Sequence, residues 1–470
     1  GTGQGPARRA SRHSSQARRA VKKEVAPAKV RAHPYRALQI SALGTFGLRV
    51  VRGGLGFITS LILARLLGPQ DFGAYSVALA IGWLLAGVAV VGTQQLLIRE
   101  IAVACAQARW DRLQGVLRWT SRVVWLSAIA LCGVAAAVAA TLGDRLDPLI
   151  LNSLWPALLL VPLGAQIARR QGAMQGLEQL ITGQVPELLV QPLLMLGLIA
   201  VADTLAREGL TASLAVWLRV FATAVALWLG HRLLKHALPR VAIGAHPEEG
   251  RRGWRRACAG FLVLSVTPLL VAQAPVAMLG SIRGAEEAGI FAITLALAEI
   301  LQFVTLAVSS ALAPRIAACH ARAALDPMQD LLVKGARTLL LICVAMAALG
   351  VAYGDSLLAL LGEPYRQGAH ALGILVGSYA FLALLGLPGL VLTMTHQESV
   401  AALWNGLSVL ATIILCLALI PGYGMSGAAM ATAGGLLIRQ VLLALTVRGR
   451  IPVAFTPWTS TRRERRDNPR

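Results

Sequence analysis

The sequence predicts an all-α, polytopic membrane protein with about twelve transmembrane helices in two parallel six-helix lobes. Three observations predict it. Of 470 residues, 56% are hydrophobic and only 14% charged, whereas a soluble domain is nearer one half apolar and one quarter charged. The apolar residues fall in runs of roughly 20, the length of helix that crosses ~30 Å of hydrocarbon. A motif of the first half also returns in the second.

Lipid offers the backbone no hydrogen-bond partners, so the runs are helices rather than strands. They are expected at 38–66, 72–97, 119–141, 149–170, 179–202, 211–234, 257–281, 286–313, 332–353, 368–392, 400–420 and 425–447. The first ends at Gly68-Pro69, which continue a helix poorly, and Asp71 suits the N-terminus of the second. Pro186 and Pro192 in the fifth, and Pro268 and Pro275 in the seventh, remove backbone donors and predict bends. These runs define lobes at 38–235 and 257–447, joined by a basic linker, 236–256, with basic tails at 1–37 and 448–470. Gly1 to Arg36 is rich in Arg and Ser, with Glu24 its one acid. A transit peptide has that composition, but the basic pattern further on favours a cytoplasmic tail resting on anionic lipid.

That pattern orients the chain. Basic residues crowd the N-tail, Arg99 to Arg118, Arg169-Arg170, Arg232 to Arg256, Arg315 to Arg337 and the tail from Arg448. The opposite loops hold Arg145, Arg207, Arg283 and Arg366 against Asp71, Asp144, Asp147, Asp203, Glu208, Glu286, Glu287, Asp355 and Glu363. Both termini are therefore expected on the cytoplasmic face of the cell membrane. The net charge of +22 is topogenic in this distribution, and nucleic acid is not an expected partner. The six cysteines form no CxxC, and none has a histidine at ligand spacing, so neither a metal nor a cofactor is expected.

The repeat has an offset of 216 residues. It matches Gly68 with Gly284, Asp71 with Glu287, Gly73 with Gly289, Tyr75 with Phe291 and Arg99 with Arg315. A weaker echo joins "GLTASLA" from Gly209 to "GMSGAAM" from Gly424. Six helices per half is an even number, so the halves point the same way across the membrane.

Charged groups at membrane depth are functional candidates. Arg49 and Arg52 share a face of the first helix, within the bilayer if that helix starts near Leu38 and able to snorkel if it starts near Phe46, and Arg219 lies inside the sixth with no easy route to the surface. Arg65, Arg122 and Arg439 lie nearer helix ends and are expected to snorkel. Gln184, Glu187 and Gln191 form one stripe, and Glu299, Gln302, Thr305 and Ser309 another. Such stripes line a wet cavity or bond neighbouring helices. In a cavity, Glu187 or Glu299 would pair with an arginine or bind a coupling cation. The expected cavity set is Arg49, Arg52, Arg219, Gln184, Glu187, Gln191, Glu299 and Gln302. No catalytic residue is expected: the chain has no Walker loop, no HExxH and no long outer loop with paired carboxylates, and His320, His370 and His396 stand alone.

"ILARLLGPQDFGAYSVALA" from Ile62, "VAMLGSIRGAEEAGIFAITLALAEIL" from Val276 with "LAPRIA" from Leu312, and "ALIPGYGMSGAAMATAGG" from Ala418 resemble the polysaccharide biosynthesis family of Wzx-type oligosaccharide flippases. The resemblance covers about residues 38 to 450. Multidrug antiporters and lipid II flippases are branches of the same superfamily. The resemblance implies a V-shaped pair of lobes around a cavity that opens alternately to each side. It also implies a polyprenyl-diphosphate-linked glycan as cargo for surface polysaccharide synthesis, with membrane lipids around it and a polysaccharide polymerase as candidate partner. The arginines suit a diphosphate. An acidic cavity would favour the alternative, a drug or cation antiporter, and catalytic residues in the loops would favour an enzyme acting on polyprenyl-linked sugars. The long basic N-tail departs from many relatives, as does a count of twelve helices where some have fourteen.

Overall fold

The computed structural model describes residues 34–143, 147–205, 209–239, 241, 251–322, 324–395, 397–450 and 455–459. Outside them lie most of the expected N-tail, Asp144, Arg145, Arg207, Glu208, residues 240 and 242–250 of the linker, His396, and residues 451–454 and 460–470 of the C-tail. The chain divides into two compact units, residues 1–47 and 48–470. The first contributes only the opening turns of a helix that starts at Pro34. Everything below concerns the second.

The described residues are helical, with no strand among them. The first half comprises α1 (Pro34–Ala89), α2 (Thr93–Ala106), α3 (Trp110–Leu142), α4 (Pro148–Ala157), α5 (Leu160–Gly176), α6 (Leu180–Val185), α7 (Gln191–Leu205) and α8 (Ala212–Ala237). The second comprises α9 (Arg251–Arg283), α10 (Ala285–Ala298), α11 (Ile300–Ala321), α12 (Leu325–Ala359), α13 (Ala369–Leu384), α14 (Pro388–Met394) and α15 (Glu398–Arg450). Among the described residues, eight helices are long and apolar enough to cross a membrane, or nine if the bent pair α4–α5 is one span. The chain is thus a multi-pass membrane protein. Leu126 and Ile129 on α3 are 70% and 62% exposed, and Leu341 on α12 is 73% exposed, as lipid-facing residues are.

The expected helices are redistributed over these elements. From Leu48 onward α1 would extend about 63 Å if straight, twice the hydrocarbon thickness. It breaks at Gly68, whose φ of 70° and ψ of 175° are non-helical. The break falls where Gly68-Pro69 predicted it. In the same way α15 breaks at Gly424, with φ 52°. Trp404 Nε1 donates to Thr446 Oγ1 at 2.8 Å, Gly435 abuts Thr412 and Gly427 abuts Leu419, so the two arms of α15 run antiparallel.

Several elements differ from expectation; the expected 149–170, 286–313 and 368–392 are each divided in two. The second helix ends at Ala89 rather than 97. Val91 and Gly92 both have positive φ there, and the chain restarts as α2, which carries Arg99 into a helix rather than a loop. The fifth is interrupted by a π-helical turn at Pro186–Val190, beginning at the proline that cannot donate. The seventh runs through Pro268 and Pro275 without a break. Arg169 and Arg170, expected at the basic end of a helix, lie inside α5, both of them buried.

The repeat is visible in the backbone. Gly284 takes φ 99° and ψ 177°, matching Gly68. Asp71 does not cap its own helix. Its Oδ1 accepts from the Ala212 N–H at 2.9 Å and so caps α8. Glu287 Oε2 accepts from the Met425 N–H at 3.1 Å, at the start of the last arm. Each half therefore fastens its first turn to the N-terminus of its last helical arm with a carboxylate, where the free N–H groups and the helix dipole favour an anion.

The two turns meet. A Cβ on Gly73 would lie 1.7 Å from Ala285 O, and one on Gly289 would lie 2.1 Å from Pro69 O, so only glycines allow this backbone-to-backbone approach. Buried Tyr365 donates from its Oη to Ala64 O at 2.8 Å beside it. A continuous apolar core from Leu63, Phe72 and Ala78 to Phe291, Leu301 and Leu372 joins the halves at this end. Gly73→Ala is expected to cost about 1–3 kcal/mol, because the clashing partner is backbone. It should lower the melting temperature in detergent and open the sealed end to thiol reagents at an introduced Ser76→Cys.

At the opposite end Glu100, 6% exposed at its side chain, binds Arg112 at 2.7 Å and Arg99 at 3.1 Å. Burial pushes its carboxyl up, but the hydrogen bonds and charges of Arg112 and Arg99 outweigh it and leave the carboxyl below its ordinary range. A depressed folded pKa stabilises the protein above the ordinary carboxylate range, ~4.3. That stability is lost as pH falls through the folded value. Melting of the wild type should therefore drop on acidification below about pH 5 more steeply than that of Glu100→Gln.

Candidate functional site

Between the halves lies a cavity of about 1190 Å³. The sealed turns lie at one end of it, near Phe72, Tyr75 and Ser76. Arg52 lies sixteen residues before Gly68, about 24 Å along the helix, and Glu299 lies fourteen residues after Ala285, about 21 Å. Arg49 is one turn further, and both arginines are solvent-accessible.

Six of the eight expected residues line this cavity: Arg49, Arg52, Gln184, Arg219, Glu299 and Gln302. Gln184 extends from α6, the short helix before the π turn. Thr223 Oγ1 donates to the Arg219 carbonyl at 2.7 Å on α8, while the Arg219 Nε is buried with no hydrogen-bond partner. Among the described residues, no ion pair involves Arg49, Arg52 or Arg219, and Glu299 is the one carboxylate on the wall. Three guanidinium groups therefore face a cavity whose surroundings do not neutralise them.

Glu187 and Gln191 are placed elsewhere. Glu187, 5% exposed, is paired with Arg170, which has no exposed surface. Arg170 also donates to Gly183 O at 2.9 Å, and a Cβ on Gly230 would strike its guanidinium. One of the two expected cavity carboxylates is thus paired with an arginine expected at the basic end of a helix. Gln191 Nε2 donates to Thr223 Oγ1 at 2.6 Å, a buried bond between helices. Of the second stripe, Thr305 Oγ1 turns back to Leu301 O at 3.3 Å.

Sequence reasoning missed Gln94, Gln171, Gln175 and Gln273, which add amides to the wall. Gln171 and Gln175 are four apart on α5, a one-face spacing hidden by the expected helix end at 170. Arg439, expected to snorkel, lines a smaller adjoining cavity of about 290 Å³. Arg65 and Arg122 are exposed. His370 Nδ1 lies 3.2 Å from Ser426 Oγ.

A family model described as "Polysaccharide biosynthesis protein" matches residues 42–320, more than half of the chain. The chain belongs to this family. No curated protein matches the family member in a sequence search. Solved structures do match. An inward-facing multidrug resistance MATE family transporter of the MOP superfamily is 11% identical, with a TM-score of 0.66 over 88% of this chain and 98% of that one. The lipid II flippase MurJ in an inward closed conformation is 12% identical, with a TM-score of 0.61 over 87% of each chain. A MOP superfamily transporter from Pyrococcus furiosus, reported with a binding pocket of reverse polarity, is 11% identical, with a TM-score of 0.57 over 88% of this chain and 96% of that one. The family member therefore has the MATE- and MurJ-like fold.

Proposed function

We propose that the protein is a flippase that moves a polyprenyl-diphosphate-linked oligosaccharide across the cytoplasmic membrane by alternating access, for surface polysaccharide synthesis. The observation that carries this reading is the trio Arg49, Arg52 and Arg219, unpaired on the wall of a cavity large enough for a head group. An unpaired guanidinium at membrane depth is costly, and a diphosphate supplies the oxygen acceptors that offset the cost. The family description and the flippase among the structural neighbours support the cargo class. The structural neighbours are transporters and a flippase, which supports transport as the reading.

In this reading the basic loops are cytoplasmic, and so are both termini. The turns at Gly68 and Gly284 close the outer end, and the cargo enters from the cytoplasmic side or the lipid. The arginines hold the diphosphate, the prenyl tail stays in lipid, and rupture of the Gly73–Gly289 contact releases the sugar outside. A drug or cation antiporter would call for an acidic cavity, and the wall has three arginines against one glutamate. Arg49→Gln, Arg52→Gln and Arg219→Gln combined should abolish complementation in a strain that lacks the protein, at normal membrane levels. Full complementation by the triple variant would refute the reading.

A further inference from the structure

The smaller cavity has a composition of its own. It shares Ala272, Leu295, Glu299 and Gln302 with the main cavity, and its other walls come from Thr267 and Val271 on α9, from α13 and from both arms of α15. Its volume, about 290 Å³, is at the small end of ligand sites, which run upward from ~300 Å³. The polar groups are mixed. Tyr379 donates from its Oη to Gln302 Oε1 at 3.4 Å. Asn405 offers both donor and acceptor. Buried Thr432 returns its hydroxyl to Ala428 O at 2.8 Å, which leaves lone pairs on its oxygen. Such a set, with an aromatic side chain and apolar helix walls, meets a ring of hydroxyl groups better than it meets a phosphate.

Arg439 is the odd member. Its Nε is buried with no hydrogen-bond partner, and among the described residues no ion pair joins it to Glu299 or to any other acid. It lies fifteen residues past Gly424, about 22 Å along the second arm, at the depth of Glu299 and Arg52. A cargo head held at Arg52 would therefore place its next groups level with Arg439. One guanidinium without a second cation suits one carboxylate, bound side-on through two N–H groups, rather than a diphosphate.

We propose that this second-half pocket is a sugar subsite selecting a glycan that carries a carboxylate near its lipid-linked end, with Arg439 pairing the carboxylate and Tyr379, Asn405, Thr432 and Gln302 meeting hydroxyls. The inference rests on the flippase reading above. Glu299, on the wall shared by the two cavities, accepts from a hydroxyl of the same ring.

The test uses proteoliposomes of the full chain and two probes, polyprenyl-diphosphate disaccharides that differ only in a glucuronate replacing a glucose. The wild type should move the acidic probe ~10-fold faster than the neutral one, because a site built to bond a group rejects the analogue lacking it. In Arg439→Gln that ratio should fall to within about twofold of one. Arg439→Lys should fall between them, since an ammonium keeps the charge but not the side-on geometry. Asn405→Ala, which buries no new charge, gives a second measurement if Arg439→Gln fails to fold. It should slow both probes and leave the ratio standing. A wild-type ratio near one, or the full ratio kept in Arg439→Gln, would overturn the subsite and leave the flippase reading intact. Movement of neither probe by the wild type would overturn both.

Discussion

Arg52→Gln combined with Arg219→Gln is expected to slow the movement of a lipid-linked sugar by ~100-fold or more. A hydrogen bond to a charged group contributes about 1.5–3 kcal/mol, and each 1.4 kcal/mol is tenfold. Both side chains line the same cavity without an acidic partner, so their replacement strands no buried carboxylate. The double variant should therefore keep its melting temperature within a few degrees while transport falls. Stability and transport lost together would instead mean that the arginines hold the helices in place. Measuring initial rates in proteoliposomes beside melting curves in detergent separates the two.

Arg170→Ala is expected to behave in the opposite way, with a large loss of stability. Arg170 has no exposed surface, and Glu187 is 5% exposed. Removing one member of a buried pair leaves the other's charge without compensation, at a cost of about 3–5 kcal/mol. Glu187→Ala should cost a similar amount. The paired change Arg170→Met with Glu187→Leu should recover most of the loss, because apolar residues of similar volume fill the site without desolvating an ion. Unfolding in detergent with a graded denaturant reads all four proteins. A double variant as unstable as the sum of the single changes would contradict the assignment of these residues to one pair.

The residues that were legible in the sequence and those that were not differ in the range of the interaction that fixes them. Arg52 and Arg219 stand out because a charge in an apolar run has few explanations. Gly68 and Gly284 were legible because a glycine that breaks a helix acts on its own backbone, and the repeat doubled the signal. The role of Asp71 was only partly legible. An acid after a turn suits a helix start, but the start it caps is Ala212, 141 residues on. Glu187 was misplaced because the pair Arg169-Arg170 looked like the topogenic end of a helix, whereas α5 continues to Gly176 and turns Arg170 inward. Arg439 was misread for a related reason. Eleven residues from the end of α15, it has a surface within reach by sequence position, and the packing of α9, α13 and the first arm of α15 shows the small cavity beside it.

The cavity's polarity separates this chain's reading from that of a cation exporter of the same fold. A transporter for cationic drugs needs carboxylates in its wall, and a carrier of diphosphate-linked sugars needs guanidinium groups. Three arginines and one glutamate on a shared cavity favour the second. The buried Glu187, already paired with Arg170, does not alter that balance.

The most direct measurement is transport by the purified full chain in liposomes loaded on one side with a fluorescent polyprenyl-diphosphate sugar, with a cationic dye as the competing cargo. The account predicts movement of the lipid-linked sugar well above protein-free liposomes, and none of the dye. Dye efflux with no movement of the sugar would contradict it.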